Sequence, residues 1–347
     1  MILPAVTLAL WFAGWIVLGR VRRCSHPEVN QSVSGEQLSI IIPARNEEHN
    51  IPTLLRSIIS QPAKPREIIV VDDGSTDRTA EIAWQLGATV MTSQPLPDGW
   101  RGKTWACHQG AQAATGDRLL FLDADTWFEP GGLGRVLSGY TGGAFSVGPH
   151  HAVRKPYENL SLFFNLNMNA GTVPRGLFGQ MLLVERDSYR RVGGHESVRG
   201  RVLENYRLAE RFRAAGIPVR SEGGRSVFSF RMYPNGLREL VEGWTRGFAS
   251  GAGQTPWGTL LMVVAWMIGL MLAPLGWLIT GDWLRWGAVY LLCAAQVGWL
   301  GRWVGAFRWY TPLLYPVPLL FFFVVFARSA MRSGKAVAWK GREIRAD

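Results

Sequence analysis

Four long stretches of the chain carry almost no charge, and this feature limits the possible folds more than any other. They are Ile2 to Leu18, Thr259 to Ile279, Trp286 to Leu300 and Pro312 to Ala327. A helix needs about 20 apolar residues to cross a hydrocarbon core of ~30 Å. We therefore expect an N-terminal transmembrane anchor over residues 1–20, C-terminal transmembrane helices over residues 256–330, and a basic tail over residues 331–347.

Basic residues flank these apolar segments. Arg20, Arg22 and Arg23 follow the first segment, and further lysines and arginines follow the last. The net charge of +11 is compatible with a nucleic acid partner, but its placement favours an anionic membrane surface. We expect membrane lipids and no nucleic acid as partners. The expected location is the inner (plasma) membrane, multi-pass, with the catalytic domain in the cytoplasm.

The positive charges also constrain the number of crossings. If all four segments span the bilayer and the central domain is cytoplasmic, the basic tail ends outside, against the positive-inside rule. One C-terminal segment is therefore expected to be re-entrant or interfacial. The first segment lacks the basic start and the cleavage site of a signal peptide, which favours a retained anchor.

Between residues 36 and 234, short apolar runs alternate with helical periodicity. This pattern is typical of an α/β domain with a mostly parallel sheet. A helix from Asn50 to Ser60 is predicted because its aliphatic residues fall on one face. The predicted strands are Leu38 to Ile42, ended by Pro43, then Glu67 to Val71 and Arg118 to Leu122.

Asp123 and Asp125 directly follow the strand RLLFL. Side chains two residues apart on an extended segment point the same way, so both carboxylates can face one point. Such a pair is unfavourable unless a cation lies between them. A hard divalent ion, Mg²⁺ or Mn²⁺, fits oxygen ligands of this kind. The alternative is that the pair arises by chance or caps the next turn.

Two other strand ends carry polar groups. Asp72 and Asp73 follow the second strand in DDGSTD, and PARNEE follows the first. Ligands of open α/β sheets bind at the carboxyl ends of strands, where such groups can contact a base or a ribose. Helix capping by Ser75 or Thr76, with Asp77 in the first turn, is the alternative for the rest of DDGSTD.

Four motifs in this order, IIPARNEE, IVVDDGSTD, GKTWACHQGAQAATGD and LLFLDADT, resemble the nucleotide-sugar half of family 2 inverting glycosyltransferases with the GT-A fold. The resemblance covers most of Ser39 to Ala215. It implies that Lys103 approaches the diphosphate, that Asp123 contacts the ribose or the metal, and that Asp125 coordinates the metal. It further implies a nucleoside pocket lined by Pro43, Arg45, Glu47 and Asp73, beside Asp72.

The acceptor half departs from the family, which usually has Glu-Asp where this chain has Glu204-Asn205. In the family the aspartate is the general base that deprotonates the acceptor hydroxyl. An amide cannot take a proton, so either Glu204 is the base or no base is needed. An acceptor carboxylic acid has a pKa of about 4 to 5 and is already ionised at neutral pH. The alternative for Glu204 is an acid placed in a first helical turn.

A narrower resemblance joins PLPDGWRGKTWACHQGA, VLENYRLAE and FSFRMYPNGLRELVEGWTRGFASGA to the branch containing 4,4'-diaponeurosporenoate and hopanoid-associated glycosyltransferases. It implies transfer of glucose from a UDP-sugar to a lipophilic acceptor such as a carotenoid carboxylate, with inversion. Transfer to a polyprenyl phosphate or a polysaccharide is one alternative. A nucleotide-binding membrane protein without catalysis is another.

Residues 235–252 have apolar side chains at helical spacing and lead straight into an apolar segment. We expect an interfacial amphipathic helix at the lipid headgroups. Arg231, Trp244 and Arg246 are expected to border the channel where acceptor meets sugar. The alternative is a helix that simply packs on the catalytic domain.

Overall fold

The computed structural model describes residues 2–26, 37–201, 203–332, 336–339 and 342–345. Val202, residues 333–335, 340–341 and 346–347 of the basic tail, and the side chain of Arg246 lie outside the described part. In chain order the elements are α1 (Ile2–Leu18), β1 (Arg22–Arg23), β2 (Leu38–Ala44), α2 (Ile51–Ile59), β3 (Glu67–Asp72), α3 (Thr79–Gln85), β4 (Thr89–Thr92), α4 (Gly102–Ala113), β5 (Arg118–Leu122), β6 (Thr126–Phe128), α5 (Gly132–Gly139), β7 (Ala144–Gly148), β8 (His150–His151), α6 (Leu162–Thr172), β9 (Met181–Glu185), α7 (Arg186–Arg191), α8 (Glu204–Ala214), β10 (Val219–Gly223), β11 (Phe228–Phe230), α9 (Leu237–Gln254), α10 (Trp257–Thr280), α11 (Trp283–Val304), α12 (Pro316–Arg332), β12 (Ala336–Trp339) and β13 (Arg342–Arg345).

A large sheet forms the centre of the domain between α1 and α9. Its strand order is β1-β10-β7-β9-β5-β2-β3-β4. Neighbours pair in parallel except β9, which runs antiparallel to both β5 and β7. The middle strands are buried on both faces, which explains why they read as continuous apolar runs. The prediction of a mostly parallel α/β sheet is confirmed.

The predicted end of the first strand at Pro43 is wrong. Strand β2 continues to Ala44, and Pro43 pairs with Val71 of β3. Proline lacks an N–H and is tolerated in a strand where no ladder bond needs that donor. The ladder between β2 and β5 stops at Ile41, so the missing N–H leaves no bond to β5 unmade.

Helix α2 lies close to its predicted range. It begins at Ile51, one residue later than predicted, and it buries Ile51, Leu54, Leu55 and Ile58, the aliphatic face that the spacing predicts. This face packs with the buried side of β2 in one apolar core. The helix thereby fixes the loop between β2 and α2, which carries Arg45 and Glu47.

Of the described helices, α10 is long and apolar enough to cross a bilayer. The apolar parts of α1 and α12 are shorter. Helix α1 covers the predicted residues Ile2 to Leu18 and packs closely along α10. A Cβ added at Gly14 would lie 2.4 Å from the indole nitrogen of Trp266, and one at Gly269 would lie 2.7 Å from the backbone nitrogen of Trp11. Glycine is therefore required on both sides of this contact.

Contacts at both ends of α12 show where the last apolar helix runs. After α11, Ala306 N donates to His151 O at 2.8 Å, so the chain lies against the catalytic domain. Just before α12, the hydroxyl of Tyr315 donates to Leu270 O, near the middle of α10. Near its end, Ser329 Oγ donates to the backbone oxygen of Thr245 on α9. Helix α12 therefore runs from the middle of α10 back to α9.

Candidate active site

The carboxyl ends of β2, β3 and β5 lie side by side, and hydrogen bonds join the loops after β2 and β3. Asn46 N donates to Ser75 Oγ at 3.0 Å, and Thr76 N donates to Asn46 Oδ1 at 2.8 Å. Asn46 adopts a positive φ of 53°, a conformation that asparagine tolerates better than most residues. The two loops thus form one rim at the edge of the sheet.

The acids of DDGSTD are divided between the turn and the helix. Asp72 ends β3, and its Oδ1 accepts from Ser75 N at 3.2 Å. Helix α3 begins at Thr79, later than the predicted caps Ser75 and Thr76. Asp77 lies before the helix, where its Oδ1 accepts from Thr79 N at 3.0 Å. The predicted caps are therefore wrong, because Arg78 is the N-cap residue and Asp77 precedes the first turn. Asp72 closes the turn.

The residues predicted to line a nucleoside pocket meet on this rim. Asp73 N donates to Ala44 O at 2.8 Å, and Arg45 Nη1 donates to Asp73 O at 2.5 Å. The carboxylate of Glu47 accepts from Asn50 Nδ2 at 2.8 Å. Pro43 lies at the base of the same loop. Their roles in nucleotide binding stay a prediction.

Lys103 lies in the first turn of α4, and close helix packing sets its position. A Cβ at Gly110 would lie 2.5 Å from Ile41 Cγ2, so glycine lets α4 approach β2 more closely than any other residue would. Thr104 Oγ1 also donates to Arg199 O at 2.7 Å, which ties the start of the helix to the loop before α8. The N-terminus of α4 and the lysine thus face the end of β5.

The ammonium group of Lys103 is the centre of the site. Its Nζ lies 2.7 Å from Asp123 Oδ1 and 2.7 Å from Glu204 Oε1, and it donates to Gly179 O at 3.0 Å. Gly179 O accepts one N–H of this group, and the two carboxylates lie at ion-pair distance. Burial by itself lowers the pKa of an ammonium group, but the carboxylates of Asp123 and Glu204 outweigh it and raise the pKa of Lys103. The lysine is therefore a fixed positive charge.

The composition of the site fits a divalent cation. Asp123 is partly exposed and contacts Lys103, and Asp125 follows it at the same strand end. With Glu204, three carboxylates lie at this end of the sheet. Hard oxygen ligands with excess negative charge are the donor set that Mg²⁺ and Mn²⁺ prefer.

Glu204 and Asn205 occupy the first turn of α8, so the alternative of a first-turn acid is correct for the position of Glu204. Both side chains are buried, with 6% and 4% exposure. The amide of Asn205 donates to Phe178 O at 2.9 Å and to Gly179 O at 3.1 Å. Because carbonyl oxygens only accept hydrogen bonds, the side-chain atom that faces them is Nδ2 and not Oδ1. Asn205 thus holds the same loop whose carbonyl accepts from Lys103.

A cavity of about 460 Å³ joins this polar group to the apolar helices. One end includes Lys103, Asp123, Glu204 and Asn205. The other end is apolar, and its lining side chains come mainly from α10 and α12; they include Leu260, Val263, Met267, Phe322, Phe323 and Phe326. The predicted site therefore opens directly into the part of the molecule predicted to lie in lipid.

The channel residues predicted around α9 have different environments. Trp244 lines the cavity, and its indole N–H donates to Ser161 Oγ at 3.1 Å. Arg231 is absent from the lining and forms a 2.6 Å ion pair with the buried carboxylate of Glu158. Helix α9 packs through Leu240 and Trp244 on the core, so packing and an interfacial position are both compatible with its contacts.

Sequence reasoning missed the apolar wall of the cavity. Residues such as Leu260 and Phe323 read only as apolar positions of long helices. The sequence offers one signal for such a wall, which is that α10 and α12 follow the catalytic domain in the chain. Which face of each helix lines a cavity depends on how the helices pack.

Fold and site together define a glycosyltransferase with the GT-A fold. Residues 39–160 match the family model described as Glycosyl transferase family 2. Over 329 residues the chain is 34% identical to the 4,4'-diaponeurosporenoate glycosyltransferase of Staphylococcus aureus, with 88% of each chain covered. The chain therefore belongs to glycosyltransferase family 2.

A solved structure supports the fold over nearly the whole chain. It is a mannosyltransferase of Pyrobaculum calidifontis in complex with GDP-Man and Mn²⁺. The TM-score is 0.54 at 18% identity, and the match covers 95% of this chain and 98% of the other. The similarity extends beyond the catalytic sheet into the helices that follow it.

Proposed function

We propose that the protein is a membrane-bound glycosyltransferase that moves glucose from UDP-glucose to a lipophilic acceptor with inversion. The acceptor class is a lipid carboxylate, of which a carotenoid acid is an example. The similarity to a 4,4'-diaponeurosporenoate glycosyltransferase supports the acceptor class.

The observation that carries the proposal is the cavity between the polar cluster and the apolar helices. Its polar end includes Lys103, Asp123 and Glu204, and its walls continue along α10 and α12. An amphipathic acceptor fits such a space with its reactive head at Lys103 and its apolar body along the helices. A soluble sugar acceptor would gain nothing from these walls.

We assign the donor to the rim of the sheet. Pro43, Arg45, Glu47, Asp72 and Asp73 are proposed to hold the nucleoside, and Lys103 the diphosphate. Because Asp123, Glu204 and Gly179 already surround the ammonium group of Lys103, we propose that binding of the diphosphate replaces at least one of these contacts. That exchange couples entry of the donor to release of Asp123 or Glu204.

Asp123 and Asp125 are proposed to hold Mg²⁺ or Mn²⁺. A divalent ion bound there would neutralise charge on the leaving diphosphate. The presence of Mn²⁺ in the P. calidifontis mannosyltransferase structure agrees with this choice. From the first turn of α4, Lys103 supplies a second positive charge at the same end of β5.

An ionised acceptor removes the need for a general base at position 205. Asn205 cannot accept a proton, and its N–H groups are directed at backbone carbonyls. Glu204 Oε1 lies 2.7 Å from Lys103 Nζ, so this carboxylate already has an ion-pair partner. A carboxylate acceptor can attack the anomeric carbon without losing a proton first.

The proposed location is the inner (plasma) membrane with the catalytic domain in the cytoplasm. Helix α10 supports a spanning segment by its length and composition. We propose that α1, α10 and α11 cross the bilayer and that α12 is re-entrant. This arrangement keeps the basic tail on the side of the catalytic domain, in agreement with the positive-inside rule.

The direct test uses purified protein in detergent with several UDP-sugars, Mn²⁺ or Mg²⁺, and paired lipids that differ only in a terminal carboxylate or hydroxyl. We expect a singly glycosylated ester, identified by mass, with the carboxylate lipid preferred. A polymer or a sugar phospholipid as the main product would contradict the proposal.

Two neighbouring leucines of α10 test the role of the cavity. Leu260 lines it, whereas Leu261 is half exposed and lies outside its lining. We expect Leu260→Trp to lower kcat/KM for the lipid acceptor about tenfold or more by filling the space, with unchanged binding of UDP. Leu261→Trp is the matched control and should leave both unchanged. Equal effects of the two variants would argue against the cavity as the acceptor site.

A further inference from the structure

A second cluster of charged side chains lies away from the cavity of the active site, where α1 and α11 end. We call it the arginine–tryptophan cluster; it consists of Arg23, Arg225, Arg302, Trp299 and Trp303. The guanidinium carbon of Arg302 lies 3.3 Å from the ring centre of Trp299, and that of Arg23 lies 3.3 Å from the ring centre of Trp303. Arg225 and Arg302 lie 4.8 Å and 4.9 Å from the ring of Trp303. Three guanidinium groups thus share one indole ring.

Among the described residues, this concentration of positive charge lacks a carboxylate partner. Within residues 2–26, 37–201 and 203–332, Arg23, Arg225 and Arg302 form no ion pair with a carboxylate. Three like charges around one ring repel one another. The cation–π contacts offset only part of this repulsion. An anion would relieve it.

The space beside the cluster is amphipathic. It is a cavity of about 330 Å³, within the size range of small-ligand sites. Its polar side includes Arg225, Arg302 and Arg308, and its apolar side includes Leu162, Val297 and Phe307. The carboxylate of Glu129 interacts electrostatically with His150, which lines the cavity. Glu129 already accepts hydrogen bonds from Trp127 and Ser229. A ligand here would need an anionic head and an apolar body.

The position of the cluster agrees with the region of the lipid headgroups at the membrane surface. Arg302 lies two residues before the end of α11, and Arg23 follows shortly after the end of α1. Trp309, on the rim of the cavity, is 82% exposed. Tryptophan and arginine are enriched where apolar helices leave the hydrocarbon. Two apolar helices end at this place.

We propose that the arginine–tryptophan cluster and its cavity bind the phosphate headgroup of an anionic membrane phospholipid. The planar guanidinium groups present paired N–H donors to phosphate oxygens, and the apolar side of the cavity accepts the start of an acyl chain. The inference rests on the proposed membrane insertion. It is independent of the sugar donor and of the acceptor.

The test measures lipid retention by the full chain. The protein is exchanged into detergent with equal amounts of phosphatidylglycerol and phosphatidylcholine carrying the same acyl chains, and bound lipids are counted by native mass spectrometry. We expect wild type to retain phosphatidylglycerol preferentially. Arg302→Gln and, separately, Arg225→Gln should each lower that preference about fivefold, the usual effect of one cation at an anionic surface.

Matched variants separate a site from a general charge effect. Arg56→Gln removes one charge from an exposed position on α2 and should leave the preference unchanged. Arg302→Lys keeps the charge without the planar donor pair and should give an intermediate value. Arg225→Gln changes an exposed loop residue and serves if the helix variant fails to fold.

Each outcome has a defined meaning. Equal retention of the two lipids by wild type, or the same loss in Arg56→Gln as in Arg302→Gln, would overturn the inference. Glycerophosphoglycerol, which lacks acyl chains, is added as a competitor; displacement of the lipid at equal concentration would show a site for soluble phosphates instead. Retention of neither lipid would count against this inference and against membrane insertion, while transferase activity would still test the proposed function separately.

Discussion

At the scale of single residues, Lys103 is the point where the donor and acceptor halves of the site meet. It binds Asp123 at the end of β5 and Glu204 at the start of α8 with equal distances of 2.7 Å. One partner belongs to the proposed metal site, and the other lies in the wall of the acceptor cavity. Substitutions of Asp123 or Glu204 therefore test whether each carboxylate acts on the donor or on the acceptor.

Replacing Glu204 by glutamine separates the two acceptor classes. Glu204→Gln keeps the shape of the side chain and removes any function as a base. We expect kcat with a carboxylate lipid to fall less than tenfold, because no proton has to be removed. With a hydroxyl lipid, loss of a general base costs about 10²- to 10⁴-fold. The measurement is kcat for both lipids; equally large losses with both would refute the idea that the acceptor needs no base.

Asn205→Asp restores the residue that the family usually has, yet we expect it to impair this protein. An ionised carboxylate would face the carbonyl oxygens of Phe178 and Gly179 in place of two N–H donors. Leaving them unpaired costs about 1–3 kcal/mol. The thermal midpoint should drop at pH 8 and recover partly near pH 5, where the new acid can protonate and donate. A gain of activity with hydroxyl lipids at pH 8 would contradict this expectation.

Two buried histidines predict loss of stability in acid. Burial, and then the charge of Lys103, lowers the pKa of His195 to about 3, and burial lowers that of His151 to about 4. In the unfolded chain both have pKa values near 6.5. Below pH 6.5 the unfolded state binds protons that the folded state does not. The stabilisation is thus complete above pH 6.5 and decreases as pH falls, by up to about 1.4 kcal/mol per pH unit for each histidine.

The measurement is the thermal midpoint in detergent between pH 7 and pH 4.5. His195→Gln keeps a partner for the hydroxyl of Tyr189, which lies 2.7 Å from the imidazole, and removes the titration. Its midpoint should depend less on pH than that of wild type. His49→Asn, with a side chain that is 92% exposed, is the control and should leave the slope unchanged.

At the scale of elements, glycines decide how closely helices approach. Gly110 lets α4 lie against β2 and so positions Lys103, and Gly269 lets α10 lie against α1. Neither role follows from the local pattern, because a glycine inside a helix is unfavourable by propensity alone. The close approach becomes evident only when the partner element is known.

Gly269→Ala tests the contact between α1 and α10. The new Cβ would lie 2.7 Å from the backbone nitrogen of Trp11, so one helix must shift. We expect a loss of about 1–3 kcal/mol in the free energy of unfolding, measured by denaturant titration in detergent. Gly258→Ala lies in the same helix, where an added Cβ meets nothing within 4 Å. It is expected to be neutral or stabilising; equal losses in both would mean that close packing is not the cause.

At the scale of the whole molecule, the path of α12 predicts the membrane topology. Its contacts with Leu270 and Thr245 return the chain to the catalytic side. An epitope at the C-terminus should therefore be protected in intact spheroplasts and accessible in inverted vesicles. An epitope at Gly281, between α10 and α11, should behave in the opposite way. A C-terminal epitope exposed on spheroplasts would show that α12 crosses the bilayer.

Much of the fold was predictable because it depends on local patterns. The strands before the acidic loops, α2 and α1 were found within one or two residues of their bounds, since period and length are properties of each segment. The strand end at Pro43 was predicted wrongly because a strand tolerates proline only where no neighbour needs its N–H. That depends on where β5 stops pairing with β2. The caps of α3 were misplaced because Ser75 and Thr76 are engaged by Asn46 of another loop.

The sequence by itself determined the class of fold, the acidic strand ends and the apolar helices, because each results from residues adjacent in the chain. Only the tertiary structure decided that Glu204 contacts Lys103, that Asn205 faces two carbonyls, and that one cavity joins them to α10 and α12. Those features are contacts between distant segments. They depend on the packing of complete elements against one another, which no local pattern encodes.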